Sequence, residues 1–222
     1  MKLENIQKLL QDGDMKEMNA VFGNRESQLL DEETFHNLCG LLKNENSKVR
    51  FFSLFYIIDQ FKTSLSKASE NLANTLYELI FDEYGPVVDR AIWALGITGN
   101  VGLDKLLNEY IKSSNSTKSR IVSAIGRSNF SHRIAERTAI LIDAIESENA
   151  EIRFTAMCEL MANSPAGSWK KNAEADIDFD KIYLKILPIA KHFSQSQSIC
   201  YREFAERHIK QIQIKMNGKD SE

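Results

Sequence analysis

The sequence predicts an all-α fold, an α-α superhelix of about five antiparallel helix pairs. Three observations predict it. Apolar residues recur at helical spacing in nearly every segment, separated by short polar breaks, and no stretch alternates with the period of a strand. Only three prolines interrupt a chain of 222 residues rich in Leu, Ile, Ala, Glu and Lys, a composition that favours helices. One short run of residues also returns along the chain in weaker copies.

The elements follow in order. Leu3, Ile6, Leu9 and Leu10 form an amphipathic series stopped at Gly13. Asp14 with Glu17 has the spacing of a capping box for a second short helix ending near Gly23. A helix starting near Asp31 places Phe35, Leu38 and Leu42 on one side. Ser47 then opens a helix that is apolar nearly all round, from Val49 to Phe61, as a buried inner helix should be. The next pair is Lys67–Phe81 and Pro86–Gly96, with Pro86 in a first turn and Gly96 and Gly99 as stops. Leu103–Ile111 pairs with Thr117–Ile125, capped by Asn115 or Ser116 and stopped at Gly126. His132–Ile145 pairs with Ile152–Met161, capped by Asn149. After a polar break come Phe179–Phe193 and Gln197–Lys215.

The recurring run is clearest at Val87-Val88-Asp89-Arg90-Ala91-Ile92-Trp93-Ala94-Leu95-Gly96-Ile97-Thr98-Gly99. It resembles the inner-helix pattern of HEAT-like (armadillo-type) repeats, V-R-x-x-A-x-x-A-L-G-x-x-G, with Val88 standing at the arginine position. Val49-Arg50 with Ser53, Ile152-Arg153 with Ala156, and Tyr201-Arg202 with Ala205 keep the apolar–Arg–x–x–small element. Thr117-Lys118 matches less well, although Ala124-Ile125-Gly126 repeats Ala94-Leu95-Gly96. The copies start at 49, 87, 117, 152 and 201, spacings of 38, 30, 35 and 49 residues. A unit of this kind is roughly 40 residues, so the longest gap reads as an insertion at 163–178. The outer-helix proline common in such units is read as missing. The resulting organisation is an N-terminal helical cap at 1–30, a HEAT-like array at 31–215 and a disordered tail at 216–222. Small residues at Ala91 and Ala94 let a neighbouring helix approach closely, and stacked pairs bury what one pair cannot. Trp93, inside an inner helix, is read as core, as are most of Phe51, Phe52, Phe55, Tyr56 and Phe61.

Charge and composition narrow the function. A net charge of −3 and a pI near 5.9 weigh against general nucleic-acid binding, which uses a basic face. Residues 1–46 hold five basic and nine acidic side chains, while Ser198–Lys215 holds four and two. Cys39, Cys158 and Cys200 are odd in number and isolated, so no disulfide framework is implied. The opening Met1-Lys2-Leu3-Glu4-Asn5 lacks a signal-peptide core, no apolar run reaches a membrane span, and a cytoplasmic location is expected.

No catalytic or metal site is expected, and no cofactor. His36, His132, His192 and His208 are far apart, with no H-E-x-x-H, C-x-x-C or calcium loop. Asp176, Asp178 and Asp180 read as a loop leading into a helix cap.

The candidate partner-binding residues are mostly arginines. Arg50, Arg153 and Arg202 share one repeat position, with Lys118 as its weaker equivalent; Arg90, beside Asp89, shares another with Arg120. Equivalent positions in a stacked array fall in a line, and guanidinium suits bidentate contacts to carboxylate or phosphate. The alternative is that each arginine pairs inside the array, the role the resemblance implies for Arg50, Arg153 and Arg202. Trp169, in the insertion, is a candidate anchor for a partner. The resemblance implies a non-catalytic protein–protein interaction module binding a partner protein on the concave face of its inner helices, an adaptor or an immunity-type inhibitor. Nucleic acid on an arginine ladder is the second reading, and a HEAT-like lyase or enzyme subunit the third.

Overall fold

The computed structural model describes residues 2–23, 31–127, 133–162 and 177–217. Among them all regular structure is helical, thirteen α-helices and one 3-10 turn without a strand. The insertion at 163–178 falls almost wholly outside the described residues, as do Trp169, His132 and most of the tail. The described residues form two compact units, one up to Ile111 and one from Lys112 onward.

In the first unit, α1 (Leu3–Asp12) lies against α3 (Glu32–Gly40) and α4 (Ser47–Gln60). Its apolar stripe, Ile6 and Leu10, is fully buried. The expected capping box opens α2 (Met15–Phe22): Glu17 N–H donates to Asp14 Oδ1 at 2.8 Å, and Asp14 N–H to Glu17 Oε2 at 3.0 Å. Phe22 then stacks on Tyr56 of α4 at 4.6 Å, and the Tyr56 hydroxyl donates to Asn19 Oδ1. The helix α3 starts next to Asp31 as expected, and Asp31 caps it, accepting from Thr34 N–H at 2.8 Å.

The helix expected over Lys67–Phe81 is one helix, shorter at both ends, with a separate turn before it. A single turn, α5 (Lys62–Leu65), precedes α6 (Glu70–Leu79), because Ser69 turns its hydroxyl to Leu72 N–H and starts a new helix. Next, α7 (Gly85–Ile97) runs one residue past Gly96, which is buried within it; the break comes at Gly99, whose φ of +68° suits glycine. Inner helices α4 and α7 pack on each other, with Val49, Leu54 and Ile57 meeting a core that includes Val87, Ala91 and Ala94. Finally, α8 (Asn100–Lys112) sets Lys105 over the Tyr77 ring of α6 at 4.8 Å.

The second unit begins with α9 (Asn115–Arg127), followed by α10 (Ile134–Ile145) and α11 (Ala150–Ala162). Asn149 caps α11 as expected, accepting from Ile152 N–H at 3.1 Å. Gly126 does not stop α9: it lies inside the helix, where a Cβ would come within 2.4 Å of Glu159 Cβ on α11. This glycine serves close helix approach. Asp178 caps α12 (Phe179–Phe193), accepting from the N–H groups of Asp180 and Lys181, and α13 (Ile199–Asn217) packs against α12 and α11. Pro188 lies inside α12, an outer helix, so the outer-helix proline is present in this pair.

Candidate functional site

The three arginines at the apolar–Arg position do the same thing in their turns. Arg50 Nη1 donates to Asn44 O at 2.8 Å, Arg153 Nη1 to Ser147 O at 3.1 Å, and Arg202 Nη1 to Ser196 O at 3.2 Å. Each acceptor lies six residues upstream, in the polar break before the inner helix. The guanidinium reaches back past the helix start to the turn that follows the preceding element, whose carbonyls lie outside the helical ladder. Arg50 does more: it also donates to Glu45 O and forms a two-pronged pair with Asp82, both side chains nearly buried. Lys118, in the equivalent position of α9, is half-buried.

Arg90 sits differently. Its guanidinium lies over the rings of Phe55 and Phe51, 5.2 and 5.9 Å from their centroids. Such cation–π contacts hold the charge at an apolar surface without neutralising it. Phe51 and Phe55 are half-buried, whereas Tyr56 and Phe61 belong to the core. Asp89, next to Arg90, is exposed, as is Arg120 in the second unit.

Trp93 corrects the sequence expectation. It is 45% exposed, not core. Val87, Ala91, Ala94 and Leu95 define the buried side of α7, and position 93 falls opposite that side. It lies three residues from Arg90, so the two share a face. Reading α7 against its small-residue stripe, not by its overall apolarity, shows this from sequence. The site thus assembled in the first unit is a ring-supported cation with an exposed indole one turn away.

The second unit holds a buried polar cluster that no sequence motif announces. Glu159 Oε1 accepts from Ser123 Oγ at 3.0 Å and from Arg127 Nε at 3.3 Å. Burial pushes its carboxyl above the ordinary value against the pull of Arg127, Ser123 and Arg137. Arg137, fully buried, donates through Nε and Nη2 to Ile125 O at 3.0 and 2.9 Å, closing the end of α9. Burial lowers its pKa to about 10, still charged at neutral pH. Cys39 and Cys158 are half-buried, and their thiols are pushed up to about 12 by burial. Cys200 is exposed. Among the described residues no group of His, Cys, Asp and Glu has metal-binding geometry, and no helix is long and apolar enough to cross a membrane.

By sequence, no family model and no curated protein matches the chain. Solved structures do. Cex1p is 14% identical with a TM-score of 0.51, the match covering 99% of this chain and 44% of that one, so this chain spans less than half its length. A designed armadillo repeat protein, YIII(Dq)4CqI, is 14% identical with a TM-score of 0.43, covering 95% and 100% of the two chains. An archaeal HEAT-like repeats protein from Thermococcus onnurineus NA1 is 11% identical with a TM-score of 0.41, covering 96% and 97%. At such identities the likeness concerns fold alone. Together with the arginine-to-turn bond repeated at Arg50, Arg153 and Arg202, it shows an all-α fold of repeated helix pairs, the fold expected from the HEAT-like resemblance.

Proposed function

We propose that the chain is a non-catalytic module that binds a partner protein on the face formed by its inner helices, with the Arg90–Trp93 patch as the anchor. One observation supports this most. An arginine held over Phe51 and Phe55, with an exposed tryptophan on the same face, is the side-chain combination that dominates protein–protein hot spots. Phe51 and Phe55 hold the guanidinium in place, which lowers the ordering cost on binding. Arg120, Lys118, Asp89 and Trp169 are further contact candidates in this reading. Arg50, Arg153 and Arg202 belong to its scaffold, since each donates to a turn carbonyl. The narrower form of the reading is a cytoplasmic adaptor or an immunity-type inhibitor, supported by slight net acidity. The N-terminal helices, packed on α3 and α4, fit the role of a cap.

The test places a photoreactive benzophenone residue at exposed Asp89 and compares capture by that chain with and without Arg90→Ala/Trp93→Ala. The reading expects one protein cross-linked at position 89 and lost when Arg90 and Trp93 are both alanine, with helicity unchanged. Identical capture by both chains, or nuclease-sensitive capture, rejects it. A toxin as the cross-linked partner selects the immunity form, and a component of a larger assembly selects the adaptor.

A further inference from the structure

Within the second unit, α11, α13 and the end of α9 line an open cavity of about 640 Å³. That lies within the size range of small-molecule sites, roughly 300–1,000 Å³. His208 lines it and is only 7% exposed. Its Nδ1 lies 3.3 Å from Gln211 Oε1. An amide oxygen only accepts, so Nδ1 holds the ring proton. The buried Nε2 has no hydrogen-bond partner among the described residues. A buried polar atom without a partner calls for an explanation, and a ligand is one.

The surrounding chemistry says which ligand. Arg207 and Lys215 also line the cavity, resting on the rings of Phe204 and Tyr183 at 5.2 and 6.0 Å. Neither is ion-paired among the described residues, whereas Arg127 on the opposite wall is bound to Glu159. Phe204 and Ile214, 39% and 62% exposed, supply an apolar wall. We propose that this cavity binds a small organic anion, a carboxylate or phosphate on an apolar body. Its head lies between Arg207, Lys215 and His208 Nε2, and its body lies against Phe204 and Ile214.

The buried imidazole provides the readout. Burial holds His208 below its ordinary pKa, Gln211 pulling it up and the Arg207 charge down. The other titratable groups facing the cavity are Arg127, Glu159, Cys158 and Lys215. An anion beside Nε2 favours the imidazolium, whose Nε2–H then donates to it. Binding therefore takes up a proton and strengthens as pH falls through the histidine range.

The experiment is an NMR titration of the histidine ring signals of the full chain with benzoate, phenyl phosphate and inorganic phosphate. Exposed His36 and His192 serve as internal controls. The His208 signals should move to saturation with benzoate or phenyl phosphate, and its pKa should rise by about one unit. Benzoate, whose charge is constant over that range, should then bind about tenfold tighter when His208 is protonated. Tighter phenyl phosphate than benzoate at one pH identifies a phosphate ligand, and the reverse a carboxylate. In the Arg207→Gln/Lys215→Gln chain, altered only at the rim, affinity should fall at least about tenfold. Unmoved His208 signals overturn the proposal, as does unchanged affinity in that variant. Inorganic phosphate binding as well as phenyl phosphate removes the apolar body and overturns it too.

Discussion

Arg50 and Asp82 form a two-pronged ion pair, Nε to Oδ2 at 2.7 Å and Nη2 to Oδ1 at 2.9 Å. It ties inner helix α4 to the turn before the next inner helix, α7. The side chains are 10% and 6% exposed, so removing one partner strands a buried charge. Asp82→Ala should destabilise the first unit by about 3–5 kcal/mol. The double variant Arg50→Met/Asp82→Ala should cost less than the sum of the two single changes, because it leaves no lone charge. Urea denaturation of the four chains measures both. An Asp82→Ala cost no larger than that of an exposed substitution refutes the tie.

Among the described residues, Arg153 and Arg202 make the turn bond without such a carboxylate, and both are half-buried. Each replaced by Gln should cost about 0.5–1.5 kcal/mol, the net worth of one hydrogen bond. The two sit on different helices with different acceptors, so their effects should add. Denaturation midpoints of the singles and the double decide this, and either residue matching the Arg50 effect would contradict the ranking.

Stability should respond to pH in opposite directions in the two units. Burial pushes Asp82 up, but its bonds to Arg50 and Tyr84 N–H and the Arg50 charge together hold it below the ordinary value of 3.8. A carboxyl lowered in the folded state adds stability above the unfolded pKa, and that stability is lost as pH falls below about 4. Glu159 is raised, so its contribution is full below the ordinary value of 4.5 and is lost as pH rises through the folded value. Hydrogen exchange across the acid range, read separately for α4 and α11, should show α4 loosening at the acid end and α11 above it. Asp82→Asn should flatten the first trend and Glu159→Gln the second. A single shared pH profile for both helices contradicts this assignment.

Gly126→Ala separates close approach from helix propensity. Alanine is the better helix former by about 1 kcal/mol, so an open helical position gains from the change. Here the new Cβ meets Glu159 Cβ at 2.4 Å and Cγ at 2.6 Å, atoms at the rigid base of that side chain. Overpacking should outweigh propensity, for a net loss of about 1–3 kcal/mol. Differential scanning calorimetry showing a raised Tm would mean α9 and α11 can part without cost.

What was legible in the sequence was local. The Asp14–Glu17 box, the helix start near Asp31, the Asn149 cap and the stripe at Ala91 and Ala94 depend on residues within a turn or two, so spacing reveals them. The Arg50, Arg153 and Arg202 series was legible as a pattern, and its turn acceptors were not, because they depend on how the polar break folds back. Asp82 lies 32 residues from Arg50, a distance no periodicity spans. Trp93 was misread because apolar character alone does not say which side of a helix a residue takes. Gly126 looked like a stop because its reason for being glycine, Glu159, comes from another helix. The His208 cavity draws its walls from three helices and has no linear signature.

Arg137 tests how the second unit's polar core is held. Its side chain is fully buried, with Nε and Nη2 both on Ile125 O and Nη2 3.4 Å from Gly126 O. Both carbonyls lie in the last turn of α9, where the guanidinium acts as an internal cap. Lysine keeps the charge but presents a compact ammonium in place of the planar fork, and pays a larger penalty when dehydrated. Arg137→Lys should therefore cost about 2–3 kcal/mol, and Arg137→Met should cost more by removing the guanidinium from both carbonyls and its charge from beside Glu159. Hydrogen exchange at the last turn of α9 should rise in both variants ahead of global unfolding. If exchange there stays at the wild-type rate, another group caps the helix and Arg137 serves only to offset the Glu159 charge.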